Sequence, residues 1–397
     1  MTTARRIAAG GAIATAAAAA LTLTARAGGR WMVGRTEARL CTTAALPPYV
    51  PSERAQALHA GLWVADLHAD SLLWGRDLLE RGTRGHVDVP RLVEGNVALQ
   101  VLAASTKSPR HLNLDRNDDR SDDVVLLAIA LGWPPATWRR LLPRALYMAS
   151  RADRFAARSG GRLRIIRTAA DLAAYDADRA ARPDITAGLL AIEGAHALDG
   201  DPANVDVVAD AGFRMMGPAH FFDNVFAGSA HGVEKGGLTG AGRELVADLE
   251  ARRMIVDVAH ASAATIDDVL GIATRPVVAS HTGVRAVADN ARNLTDDQLR
   301  GIAATGGMVG IGFWPTACGG TDAAWIARSI AHAAAIVGAD HVGLGSDFDG
   351  AVPVPFDASG IGLVTGALRA EGVDEAAIGR IMGGNAIDLL ARTLPNE

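Results

Sequence analysis

Cysteine is scarce in this chain, and basic residues do not cluster. Cys41 and Cys318 are the two cysteines among 397 residues. They are too few for a disulfide framework, and they lack the paired spacing of a zinc–thiolate site. The formal net charge is −5, and no basic cluster offers a surface to phosphate groups. We therefore expect two unpaired cysteines that are incidental to the structure, and no nucleic-acid partner.

The sequence also lacks internal repeats on the scale of about 20 to 50 residues. Hydrophobic residues make up 49% of the chain and charged residues 21%, so it can bury a substantial core. Strand-like and helix-like segments alternate, which favours the α/β class over a sandwich. One large α/β barrel accounts for this length without a second domain.

The N-terminal region has the pattern of a secretory leader. Arg5 and Arg6 precede a charge-free run of small and apolar residues, 7–25, and the Ala-Arg-Ala sequence at 25–27 offers a small-x-small cleavage signal. We predict a signal peptide or an uncleaved signal anchor. Because residues 46–51 are rich in proline, we read them as a linker.

This reading divides the chain into a leader with its linker, residues 1–50, and a barrel domain, residues 51–397. The favoured location is outside the cell, either exported or attached to the membrane through residues 7–25 and facing outward. The arginines after the run outnumber the two before it, which favours the cytoplasmic face as the alternative. These arginines are Arg26, Arg30, Arg35 and Arg39.

Eight strand-like runs can be laid out along the chain with helical segments between them. Most are short and continuously apolar, as parallel strands covered on both faces require. Polar side chains recur where these runs stop, which is typical of a (β/α)8 TIM barrel with its active site at the C-terminal mouth. The runs are Leu62–His68, Val97–Ala103, Gly188–Glu193, Phe213–His220, Met254–His260, Pro276–His281, Gly307–Phe313 and His341–Asp347.

Two segments interrupt this alternation. Asp122–Leu172 is long and helical in pattern, and we predict a helical insertion there. Phe221–Gly242 is rich in glycine and aromatic residues and follows the fourth strand. A long loop on the functional side of a barrel suits a lid, and both segments are places where substrate preference can vary.

Five side chains at the predicted strand ends are candidate metal ligands. His68 and Asp70 are two residues apart, so on an extended segment they leave the same face. Glu193, His260 and His281 close three further apolar runs. Barrel closure brings all five to one mouth, where three imidazoles and two carboxylates suit a pair of divalent ions, zinc first. Glu193 is the candidate bridge between the two ions.

Three further residues are candidates for catalysis or substrate binding. Asp347 is a candidate third-metal ligand or proton shuttle, and His220 is a candidate for stabilising a developing oxyanion. Arg292 lies in the loop after the sixth strand, where a guanidinium can clamp a carboxylate through two hydrogen bonds. His196 and His231 lie near the mouth and stay open as further site residues.

In this order, these residues resemble the membrane dipeptidase (renal dipeptidase) family of zinc hydrolases. Each motif is short, but the ordered set is specific, and it extends over most of the chain after the leader. The matching segments are Asp66–Asp70, Ile192–Gly194, His220, Asp257–His260, Ser280–His281, Arg292–Asn293 and Gly345–Gly350.

The resemblance implies a dipeptidase of the metal-dependent hydrolase type with two zinc ions. His68 and Asp70 would hold one ion and His260 and His281 the other, with Glu193 bridging them. A homodimer is among the expected partners, but the cysteines that make disulfides in animal members of the family have no counterparts here. A covalently linked dimer is therefore not implied.

The resemblance also assigns the catalytic roles. A hydroxide between the two ions would attack the amide of a dipeptide, and His220 would face the oxyanion. Asp347 would move the proton to the leaving amine, and Arg292 would hold the terminal carboxylate. Family members also tolerate a D-residue at the C-terminal position of the dipeptide.

Two other functions remain open from the sequence. The chain could be another barrel amidohydrolase that acts on N-acyl amino acids or cyclic amides. Arg292 bears on this alternative, because a substrate without a carboxylate would not need it. A non-catalytic barrel protein is the second alternative, and the intact set of candidate ligands argues against it.

Overall fold

The structure, a computed structural model, describes residues 27–396. Nine parallel strands form one sheet, and eight of them close into a barrel because β1 pairs with both β2 and β9 and β2 pairs with β4. The strands are β1 Val64–Ala69, β2 Val97–Ser105, β3 Leu163–Ile166, β4 Thr186–Glu193, β5 Phe213–Met216, β6 Ile255–Asp257, β7 Val277–Thr282, β8 Met308–Ile311 and β9 Val342–Leu344.

Helices connect the strands and cover the barrel. Helix α1 occupies residues 27–40. The others are α2 Glu53–Ala60, α3 Val89–Glu94, α4 Val124–Ala130, α5 Leu141–Arg158, α6 Ala169–Ala181, α7 Asn204–Asp210, α8 Gly240–Ala251, α9 Ala263–Ile272, α10 Asp296–Ala304, α11 Pro315–Cys318, α12 Ala323–Val337, α13 Gly362–Ala370, α14 Glu375–Gly379 and α15 Asn385–Thr393.

The predicted (β/α)8 barrel is confirmed. Each of the eight predicted runs overlaps one barrel strand, and every residue of β1, β2, β4 and β7 is buried. Burial on both faces is why these strands are continuously apolar rather than alternating. Around the barrel the order is β1, β2, β4, β5, β6, β7, β8 and β9.

The predicted helical insertion, Asp122–Leu172, is only partly helical. It contains α4 and α5, but it also contains β3, which pairs with β4 outside the barrel. The sequence did not reveal this strand because it has only four residues and two of them, Arg164 and Ile165, are half-buried. So short a run carries no reliable periodicity.

The described part of the predicted leader packs against the barrel. Val33 and Cys41 form a small buried cluster with Trp74, and Glu37 is fully buried. The backbone N–H groups of Ala44 and Ala45 donate to carbonyl groups of residues 354 and 355. The packing is therefore continuous across the predicted division between residues 50 and 51.

The predicted signal segment, residues 7–25, lies outside the described residues. Among residues 27–396, none of the helices has the length and apolar character that crossing a bilayer requires. Cys41 and Cys318 are both buried and unpaired, as the sequence predicts.

Candidate metal centre and active site

The eight predicted site residues converge on the C-terminal mouth of the barrel, but not all lie on strands. His68 lies within β1, Glu193 is the last residue of β4 and His281 is the penultimate residue of β7. Asp70 follows β1 directly. Arg292 lies in the loop between β7 and α10.

Three site residues lie in loops beyond shorter strands than the sequence predicts. β5, β6 and β9 end before His220, His260 and Asp347 respectively. Pro218 follows β5 closely and has no N–H group with which to extend the ladder. His260 and Asp347 have φ angles of 62° and 61°, in the left-handed region, which ends the extended backbone.

The two residues with these positive φ angles, His260 and Asp347, are themselves predicted site residues. Residues other than glycine rarely adopt them, and such strain concentrates at functional sites. Gly345 allows the loop that carries Asp347 to approach β7, because a Cβ at Gly345 would lie 2.0 Å from the carbonyl oxygen of Ser280. Placing Asp347 at the mouth therefore requires a strained backbone conformation at this residue.

Glu193 is at the centre of the histidine cluster. Its Oε1 atom lies 3.4 Å from His68 Nε2, 3.1 Å from His260 Nε2 and 3.4 Å from His281 Nε2. Asp70 Oδ2 is 3.5 Å from His68 Nε2. All five side chains are at least 92% buried, since none is more than 8% exposed.

The set of candidate ligand atoms fits divalent cations. Nε2 of His260 and Nε2 of His281 are 2.8 Å apart, and two lone pairs at that distance require a proton or a cation between them. His68 Nε2 and Asp70 Oδ1 are buried and have no hydrogen-bond partner among residues 27–396. Buried polar atoms are normally completed by a protein group, an ordered water or an ion. Imidazole nitrogens and carboxylate oxygens are the ligands that zinc shares with other borderline ions.

Three overlapping groups of ligand atoms at this mouth have all their members within 4.8 Å of one another. Two include residues beyond the five predicted ligands, namely Asp257 and His220. Asp257 is already engaged, because it accepts hydrogen bonds from the N–H and hydroxyl groups of Ser280. The groups are His68, Asp257 and His281; Glu193, His220 and His260; and His68, Asp70 and Glu193.

Ser280 and Asp257 fix the orientation of His281. The Ser280 hydroxyl donates to Asp257 at 2.5 Å, so its lone pairs are available to the Nδ1–H group of His281 at 2.9 Å. This tautomer leaves Nε2 of His281 as a ligand. A carboxylate that acts on a ligating histidine in this way makes the ligand more basic and holds its ring.

Asp66 lies in β1 and is fully buried. Its carboxylate accepts hydrogen bonds from Gln100 and from the N–H and hydroxyl groups of Ser346. It therefore anchors the residue directly before Asp347.

Asp347 is buried, and its carboxylate makes no hydrogen bond to any residue in the range 27–396. Burial raises the pKa of Asp347 to about 8, and the negative charges of Asp70 and Asp66 add to the effect against the opposing attraction of His68 and Arg292. Burial likewise raises the pKa of Glu193 well above its ordinary value, with Asp70 contributing.

The histidines of the cluster divide into two electrostatic types. Burial disfavours the charged form of His68, but Glu193 and Asp70 outweigh it and raise the pKa of His68 to about 10. Burial, with neighbouring positive charges, lowers the pKa of His220, His260 and His281 well below the ordinary value. These three rings are neutral at pH 7, the form that binds metals.

Arg292 places the positive charge of its guanidinium at the same mouth. Burial lowers its pKa to about 10 against the attraction of Asp347 and Glu193, so it remains charged at neutral pH. Its guanidinium donates to the backbone carbonyl of His281 and lies 5.7 Å from the ring centre of Trp314. Its Nε atom is buried and has no hydrogen-bond partner in the described part of the chain.

A cavity of about 360 Å3 opens over this cluster. Asp70, Glu193, His220, Arg292 and Asp347 line it. The predicted loop Phe221–Gly242 contributes to its wall, and whether that loop moves as a lid stays a prediction.

Sequence reasoning missed part of the lining and left part of it open. Trp314, just beyond β8, was not anticipated, although an aromatic residue after a barrel strand is a usable signal. His231 lines the cavity, whereas His196 does not. His196 is buried against Phe222, with ring centres 4.8 Å apart.

Comparison with known proteins identifies the family. Residues 52–393 match the membrane dipeptidase family, peptidase family M19. The chain belongs to this family. Its members are metallopeptidases, so the barrel is that of a metallo-dipeptidase, and the resemblance seen in the sequence is confirmed.

Among similar proteins, an uncharacterized protein in the pqqA 5′ region of Klebsiella pneumoniae is 35% identical over 250 residues, which cover 59% of this chain and 90% of that protein. The crystal structure of the dipeptidase AC, an M19 metallopeptidase, has 30% identity and a TM-score of 0.69, covering 84% of this chain and 98% of the other.

A second solved member of the membrane dipeptidase family comes from Rhodobacter sphaeroides. This metallopeptidase has 29% identity and a TM-score of 0.67, covering 84% of this chain and 99% of the other, and it is liganded with a phosphinate mimic of the dipeptide L-Ala-D-Ala.

Proposed function

We propose that the mouth of this metallo-dipeptidase holds two zinc ions and hydrolyses the amide bond of dipeptides. His68 and Asp70 would hold one ion and His260 and His281 the other, with Glu193 contacting both. The observation that carries the proposal is the convergence of these buried ligand groups on Glu193, three of them with nitrogen atoms within 3.4 Å of one carboxylate oxygen.

When bound, divalent cations supply Lewis acidity and lower the pKa of a water molecule. Asp347 then takes the proton of the attacking water and passes it to the leaving amine. Its carboxylate is available for this because no described residue donates to it. Burial is the largest cause that raises the pKa of Asp347 to about 8. A pKa near the working pH suits a group that must both accept and give a proton.

His220 faces the charge that develops on the amide oxygen. Its Nε2 atom lies 3.3 Å from Glu193 Oε2, at the edge of the ligand cluster. Because burial keeps the ring neutral, His220 offers an N–H donor without adding a further positive charge to the free site. A donor held in place before the reaction stabilises an oxyanion strongly.

Arg292 sets the length of the substrate. A buried guanidinium beside the ligand cluster attracts a carboxylate, and a carboxylate bound there must belong to the residue next to the cut bond. This requirement selects dipeptides over longer peptides. Since the Rhodobacter sphaeroides relative is liganded with a mimic of L-Ala-D-Ala, we extend the proposal to dipeptides with a D-residue at the C-terminal position.

A panel of L-L and L-D dipeptides, assayed with and without a chelator, tests the reaction. We expect hydrolysis that disappears on chelation and returns when zinc is added. Hydrolysis that survives complete removal of metal would overturn the proposed mechanism.

Arg292→Met tests the carboxylate clamp. We expect a rise in KM for dipeptides of about 10- to 100-fold, because a hydrogen bond to a charged group contributes roughly 1.5–3 kcal/mol. Arg285→Met is a matched control in the same loop, since Arg285 pairs with Asp289 and does not line the cavity. An equal KM for Arg292→Met and the control would contradict the clamp.

We also propose that the chain is exported, or attached to the membrane through residues 7–25 and facing outward. The support is the charge-free run in the sequence and the basic residues before it. Cell fractionation with protease treatment of intact cells tests this, and protection of the barrel from protease would favour the cytoplasmic face. A homodimer would be non-covalent, because both cysteines are buried and unpaired.

A further inference from the structure

One wall of the cavity is built from large apolar side chains on the loop after β2. Leu112 and Leu114 lie on this loop and line the cavity, and they are 44% and 47% exposed. Leu73, Val124 and Phe221 extend the same lining. Large apolar side chains left this exposed often mark a surface that binds a ligand.

The loops that carry this wall and Arg292 leave opposite sides of the barrel. In the closed barrel, β2 and β7 are separated by four steps in either direction, through β4, β5 and β6 or through β1, β9 and β8. Leu112 and Leu114 follow β2, whereas Arg292 follows β7. The ligand cluster around Glu193 lies between them. A substrate whose carboxylate is bound by Arg292 therefore extends toward the leucines.

The wall is held in place by contacts with neighbouring segments. The backbone N–H of Asn117 donates to the carbonyl of His231 at 2.8 Å, and Nδ1 of His231 donates to the carbonyl of Leu114 at 2.8 Å. At the base of the loop, buried Arg144 donates to the carbonyl of Thr106 and to Asp122, each at 2.6 Å. The insertion that contains Arg144 thus supports the loop that faces the substrate.

No charged side chain contributes to this wall among the described residues. The charged groups that line the cavity are Asp70, Glu193, Arg292 and Asp347, together with any protonated histidine. Lys107, on the same loop as the leucines, points elsewhere, with its ammonium 5.0 Å from the ring centre of Phe222. The same loop also contributes the polar residues Ser108 and Asn113 to the lining, but a charged ligand group placed against the wall would lose water without gaining an opposite charge.

From this arrangement we infer that the wall formed by Leu112, Leu114 and their neighbours is the subsite for the side chain of the substrate's N-terminal residue. It takes uncharged aliphatic side chains and discriminates against charged ones. The inference rests on the proposed function, because Arg292 must hold the C-terminal carboxylate for the N-terminal residue to reach this wall.

Four dipeptides that share a C-terminal alanine test the subsite: Leu-Ala, Gly-Ala, Asp-Ala and Lys-Ala. With the zinc-loaded enzyme, we expect kcat/KM for Leu-Ala to exceed the values for Asp-Ala and Lys-Ala by about 10- to 200-fold, the range that side-chain contacts in such a pocket supply. Equal values for all four would overturn the inference. Absence of any hydrolysis, including that of Gly-Ala, would overturn the proposed function with it.

The double variant Leu112→Ser, Leu114→Ser tests whether the preference for an aliphatic N-terminal residue arises from this wall. We expect the ratio of kcat/KM for Leu-Ala to that for Gly-Ala to fall by about tenfold. Leu126→Ser is the matched control, because Leu126 is 54% exposed on α4 and does not line the cavity. It should keep the wild-type ratio.

Leu114→Lys adds a test whose expected result, a gain in activity toward an acidic substrate, cannot come from loss of folding. A cation on the wall should raise the ratio of kcat/KM for Asp-Ala to that for Leu-Ala by at least about tenfold, because it gives the acidic side chain a partner. An unchanged ratio in both the double serine variant and Leu114→Lys would show that the N-terminal side chain lies elsewhere.

Discussion

Asp347 and Asp349 lie two residues apart in one buried loop, and their carboxylates have opposite surroundings. Asp349 accepts hydrogen bonds from the Ser71 hydroxyl, the Arg76 guanidinium and the backbone N–H of His86. Asp347 receives none from the described residues. Burial alone would raise the pKa of both, but Arg76 and the other donors hold the pKa of Asp349 below its ordinary value, whereas that of Asp347 rises to about 8.

The same contrast separates the two clusters to which these residues belong. Around Asp349, each buried charge has an opposite charge, since Arg76 also pairs with Glu37 and Glu37 with Arg84. Around Asp347, carboxylates and imidazoles crowd together and leave atoms without partners. A cluster in which the buried charges are paired stabilises the fold, whereas a cluster of unpaired charges at a cavity is suited to bind ions and substrate.

Glu193→Gln should have the largest effect. If Glu193 contacts both metal ions, the loss of its charge weakens both sites, and kcat/KM should fall by at least about 10,000-fold, because several kcal/mol of metal assistance disappear. Elemental analysis should show reduced zinc. Full zinc content with full activity would contradict the comparison.

Asp347→Asn should reduce kcat by roughly 100- to 10,000-fold, the usual contribution of a general base. Zinc content should stay at the wild-type value because this carboxylate is not needed to hold the ions. Thermal unfolding should show no loss of stability. A variant that keeps kcat but loses zinc would make Asp347 a ligand instead of a proton carrier.

Asp349→Asn should behave in the opposite way. Removal of one partner from a buried ion pair costs about 3 to 5 kcal/mol of unfolding free energy, which chemical denaturation measures. Asp289→Asn, in an exposed pair with Arg285, should change it by less than about 0.5 kcal/mol. Equal effects of the two substitutions would remove the distinction between the clusters.

The effect of Asp349→Asn should also depend on pH in a defined direction. The pKa of Asp349 in the folded protein is lowered, so its stabilisation is fully present above the unfolded pKa of about 3.9 and is lost as the pH falls through the folded value. The difference in unfolding free energy between wild type and variant should therefore shrink below about pH 4. A constant difference down to lower pH would show that the charge is not responsible.

Ser280→Ala should have the smallest effect of the series. Ser280 joins Asp257 to His281, and loss of such an outer contact typically weakens metal binding by about 10- to 100-fold. Zinc titration against a competing chelator measures this change. Ser329→Ala is the control, because Ser329 is also buried but bonds to the carbonyl of Cys318 away from the mouth. Equal zinc affinities for both variants would contradict the relay.

Much of the barrel, and the convergence of the candidate metal ligands at its mouth, could be predicted from the sequence. Buried parallel strands are continuous apolar runs, and His68, Glu193 and His281 stand where those runs stop. The exact strand ends could not be predicted, because the left-handed φ angles at His260 and Asp347 depend on tertiary contacts that local sequence does not encode.

Features that depend on long-range contacts were missed. The pairing of Glu37 with Arg76 spans 39 residues and that of Arg76 with Asp349 spans 273. Nothing local to these residues reveals the partners. For the same reason, the sequence could not assign residues 27–45 to the packed domain or place Leu112 and Leu114 at the cavity that Arg292 lines.

The central claim is that the cluster of unpaired charges around Glu193 is a two-metal site. Titration of metal-free protein with zinc, followed by native mass spectrometry and thermal unfolding, tests it most directly. The account predicts two zinc ions per chain and a rise in Tm with zinc concentration, because an ion that binds the folded state stabilises it. A chain that binds no zinc at this site, or saturates at one ion, would contradict it.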